Sequence, residues 1–161
     1  MTSQENLPPQ INEFIKSYCE SDESSDALIA STFSNFPKES IEFGSVFNSL
    51  RPYLNDFSES ASKRLHSYQI LHYVIREEFP SGSDQEKNVH FTLLKWIQER
   101  IINDVDSLGL LFKVLDEMIR KWGNDVSDYD LRLLLQSVFE NVPIQSLPIH
   151  PRRLFFDILN A

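Results

Sequence analysis

Apolar positions recur along this chain at helical intervals almost throughout. Ile11, Phe14, Ile15 and Tyr18 stand at i, i+3, i+4 and i+7, which places them on one face of a first helix. The acidic stretch CESDESSD follows, and its Ser and Asp residues suit a loop and the cap of a short second helix over DALIASTF. From Ser40 onward, Ile41, Phe43, Val46, Phe47, Leu50 and Leu54 predict one amphipathic helix. Ser58 suits the cap of the next, which carries Leu65, Tyr68, Ile70, Leu71, Val74 and Ile75. The segment PSGS at 80–83 breaks the chain. Ser83 and Glu86 have capping-box spacing and open a helix with Val89, Phe91, Leu94, Ile97 and Ile101. A short break at Asn103–Asp104 leads to Leu108, Leu111, Phe112, Leu115, Met118 and Ile119, and Gly123 suits the position just past that helix. Ser127 and Asp130 form a second capping box, with Asp in place of Glu, ahead of Leu131, Leu134, Leu135 and Val138. Pro143 ends that helix, and Pro151 fits the first turn of a last one.

A shift of 44 residues superposes much of this pattern. Tyr68, Ile70 and Leu71 fall on Phe112, Val114 and Leu115, and these fall on Phe156, Ile158 and Leu159. Phe47 and Leu50 fall on Phe91 and Leu94, then on Leu135 and Val138. Only hydrophobic class is shared, not identity. The period lies in the ~40–47 range of HEAT and armadillo repeats. The expected fold is therefore all-α, a HEAT/armadillo-like right-handed solenoid of antiparallel helix pairs. Residues 1–8 are expected as a disordered tail, and the pairs lie at about 9–36, 40–79, 84–122 and 127–161. A terminal repeat needs a polar outer face, and the last helix, with Leu154, Phe155, Phe156, Ile158 and Leu159, lacks one. The expectation is that further repeats follow in a longer parent, or that this face supports self-association.

Composition fits that reading. In 161 residues, 4 Gly and 8 Pro suit long helices better than a turn-rich β protein. The net charge of −9 speaks against binding nucleic acid or an anionic membrane through bulk electrostatics, and for basic protein surfaces. Cys19 is the single cysteine, so neither an internal disulfide nor an iron–sulfur cluster can be built from this chain alone. No apolar signal core opens the chain and no run approaches a membrane span, so a cytoplasmic and nuclear location is expected.

Candidate chemistry is sparse. His66, His72, His90 and His150 are scattered, and no zinc, phosphate-loop or nucleophile motif occurs. No catalytic residue, metal ligand or cofactor is expected. Trp96 and Trp122 sit beside core-type positions; packing is the first reading and a partner anchor the second. Arg152 and Arg153 oppose the dipole in the first turn of the last helix, so a carboxylate of the preceding repeat or a partner protein should meet them.

The stretch VFENVPIQSLPIHPRRLFFDIL resembles the early repeats of the MMS-nineteen family through Val142, Ile144, Gln145, Ser146, Leu147, Arg152, Phe156 and Leu159. Upstream, LNDFSESASKRLHSYQILHYVI is similar to that family at Arg64, Leu71 and Val74, whereas Tyr68 and His72 depart from it. The resemblance implies a HEAT-repeat adaptor, not an enzyme. Such a scaffold brings the iron–sulfur targeting factors to apo-proteins such as DNA helicases and polymerases, with links to DNA repair and transcription. On that reading Arg64, Trp96, Trp122, Arg152 and Arg153 are the candidate partner-binding residues. The alternative is an armadillo-type interaction domain in transport or signalling.

Overall fold

Seven α-helices form among the described residues, and no strand does. The structure is a computed structural model, and it describes residues 7–57, 62–77, 86–104, 107–122 and 127–141. The helices are α1 (Pro9–Glu20), α2 (Asp26–Phe33), α3 (Phe43–Leu54), α4 (Ser62–Arg76), α5 (Glu86–Asn103), α6 (Leu108–Trp122) and α7 (Asp128–Asn141). Each corresponds to a helix expected from the periodicity. The expected caps at Ser58 and Ser83, the Gly123 stop and the helix from Pro151 lie outside the described residues. One boundary moves. The helix expected from Ser40 begins at Phe43, because Lys38–Ser40 form a 3₁₀ turn and Ile41 is extended and fully buried.

Local chemistry sets several of these ends. Pro9 opens α1 at a position where its missing N–H costs nothing. The Ser25 hydroxyl accepts from the Leu28 N–H at 3.2 Å and caps α2. The Ser127 hydroxyl accepts from the Asp130 N–H at 3.1 Å and donates to its carboxylate at 2.9 Å, as the Ser127/Asp130 spacing suggests. Asp104, just past α5, accepts from the Ser107 hydroxyl, just before α6, at 3.1 Å, and both residues are shielded from solvent.

The chain divides into two compact units, Met1–Asp84 and Gln85–Ala161. In the first unit, α3 and α1 make the broadest contacts with α4, and α2 also lies against it. The main partner of α1 is α4. Leu7, which falls within the expected tail, is buried ahead of α1. In the second unit α5 packs on both α6 and α7. Part of the 44-residue register coincides with burial, although Phe47 and Leu135 are only half-buried and Phe156, Ile158 and Leu159 lie outside the described residues. Tyr68, Ile70, Leu71, Phe112, Val114 and Leu115 have no exposed surface, nor do Leu50, Leu94 and Val138.

α4 is buried on nearly every side, and it is not purely apolar. Arg64, His66 and Ser67 are buried in its first turns, while Leu65 is only half-buried. Aromatic contacts tie α1 and α2 to it. His66 meets the Tyr18 ring at 5.0 Å, Tyr18 stacks on Phe14 at 5.4 Å, Phe14 meets Phe33 edge-on at 6.2 Å, and Phe33 meets Tyr73 at 5.5 Å. The circuit leaves α4, crosses α1 and α2, and returns to α4 two turns on. A polar set runs beside it. The Tyr18 hydroxyl accepts from the Ser25 N–H at 2.9 Å and donates to Gln69 Oε1 at 2.7 Å, and the Gln69 amide donates to Ser24.

Two substitutions separate these contributions. Tyr18→Phe keeps the ring contacts and strands the Ser25 N–H and Gln69, so unfolding by denaturant should show a loss of about 1–2 kcal/mol. His66 Nδ1 is buried without a hydrogen-bond partner. His66→Phe keeps the ring and removes that nitrogen, so the same measurement should show stability unchanged or raised.

Candidate functional site

Of the five residues singled out as partner-binding, Arg152 and Arg153 lie outside the described residues. Arg64 is in the first unit, and Trp96 and Trp122 are in the second.

Arg64 is not a surface contact, which corrects the sequence expectation. Its side chain is buried, its Nη1 donates to the Asp56 carbonyl at 2.7 Å, and its guanidinium lies 4.2 Å from the Phe57 ring centroid. The physical cause is the end of α3. Carbonyls beyond a helix end need donors, and Arg64, two residues into α4, supplies one. Lys63 stands 3.7 Å from the Asp56 carboxylate on the same connection. Phe57 stays half exposed against the guanidinium.

Trp96 and Trp122 are half-buried at the rims of α5 and α6. The Arg100 guanidinium lies 5.1 Å from the Trp96 ring centroid, one turn along α5. Such a pair offers a flat apolar face with a charged edge, the composition favoured at interface centres. On α7, in the same unit, Tyr129 and Leu133 are exposed one turn apart.

The first unit carries a feature that the sequence pattern does not announce. A groove of about 530 Å³ is lined by Leu7, Pro8, Glu39, Ser40 and Glu42. It lies where the start of α1 meets the turn before α3. The Ser49 hydroxyl holds α3 to Asn12 of α1 at 2.9 Å, which fixes the two helices side by side. Leu7 and Pro8 belong to the expected tail. The available signal is a leucine directly ahead of a Pro-Pro helix start.

Cys19, the single cysteine, is buried. Burial, with the Glu20 carboxylate beside it, pushes the Cys19 thiol from its ordinary 9.0 up to about 12. Tyr53 is raised by burial and by the negative charge of Glu20 and Cys19, and Tyr73 by burial and by Glu77. Among the described residues no group of three His, Cys, Asp or Glu side chains is placed to hold a metal ion, and no helix is long and apolar enough to cross a membrane. No protein-family model, curated protein or solved structure matches the chain.

The Arg64 geometry predicts that Arg64→Met, which keeps the stem and loses the guanidinium, lowers stability by about 1.5–3 kcal/mol in denaturant titration. A mere surface contact would leave stability unchanged. For Cys19 the folded state holds its proton above the pH at which the unfolded thiol loses it. The stability it contributes is complete below 9.0 and is lost as pH rises towards about 12, and the tyrosines add to it with the same sign. Native Cys19 should therefore resist thiol alkylation in mildly alkaline buffer and react rapidly once denaturant is added.

Proposed function

We propose that this chain is a helical protein-binding module whose acidic first unit engages basic surfaces of its partners. The observation that carries this is the partition of charge. Residues 1–84 hold thirteen acidic against six basic side chains, a net of −7, and residues 85–161 hold eleven against nine, a net of −2. Exposed Asp22, Glu23 and Asp26 concentrate this charge around the α1–α2 loop. Such a field raises encounter rates with cationic partners and selects against anionic ones.

A narrower reading rests on the family resemblance. It makes the module the amino-terminal, HEAT-like segment of an adaptor that delivers iron–sulfur clusters to cytoplasmic and nuclear apo-proteins, among them DNA helicases and polymerases. The all-helical architecture and the 44-residue burial register support it. The Gln145–Ser146 block that gives the resemblance most of its specificity lies outside the described residues. In this reading the helix pairs stack as a right-handed solenoid and the Trp96–Arg100 face belongs to the binding surface.

Affinity capture from cytosolic and nuclear extract, with mass spectrometry of the bound proteins at low and high salt, tests both readings. The module reading expects partners with basic surfaces that are released by salt. The narrower reading expects iron–sulfur helicases, polymerases or their assembly factors among them. A salt-insensitive set without basic surfaces contradicts the first. A basic set without any iron–sulfur protein contradicts the second alone.

A further inference from the structure

We draw no further inference here: the strongest candidate, the exposed surface patch of α7 that carries Tyr129 and Leu133, carries nothing because nothing in the structure shows what covers it.

Discussion

The first unit depends on the covering of α4. A helix with buried side chains on nearly all faces cannot rest against a single neighbour. Here three helices enclose it, and the aromatic circuit through His66, Tyr18, Phe14, Phe33 and Tyr73 holds two of them in place. Each ring pair contributes about 0.5–1.5 kcal/mol beyond its buried area. The links share residues, so displacing Tyr18 or Phe33 disturbs two contacts at once. Tyr68, Ile70 and Leu71 point to different sides of α4 and all are fully buried, so no single neighbour can cover it.

Much of this is legible in the chain. Helical spacing marks every described helix, because a one-sided apolar stripe is a direct consequence of packing against a core. Ser127 and Asp130 mark their own cap. What spacing does not carry is which polar residue a helix end will draw inside. Arg64 has the look of a surface anchor because arginine usually is one, yet its guanidinium is drawn inside to the Asp56 carbonyl just past α3. His66 and Tyr73, seven apart, share a face of α4, and Phe14 and Tyr18 share one of α1. Those pairs are visible in the sequence, but which helix each meets is not. The groove is invisible for a related reason: it joins residues 7 and 8 to 39–42, and nothing local links the two stretches.

Architecture and proposed function meet in the first unit. Packing of α1 onto α4 fixes its axis, the Ser49–Asn12 hydrogen bond fixes its rotation against α3, and buried Leu7 fixes the residue ahead of it. The groove lined by Leu7, Pro8, Glu39, Ser40 and Glu42 is formed where these elements meet. The exposed acidic residues Asp22, Glu23 and Asp26 stand on a loop and at a helix start, outside the core.

If α4 is the element around which the first unit coheres, its amides must be the last to open. Native-state hydrogen exchange resolved by residue reads this out. Amides of Tyr68 to Ile75 should be the slowest to exchange in the unit, opening only with its global unfolding, and α2 should open earlier. Exchange of α4 ahead of α1 or α2, with those helices still protected, would contradict the central place of α4.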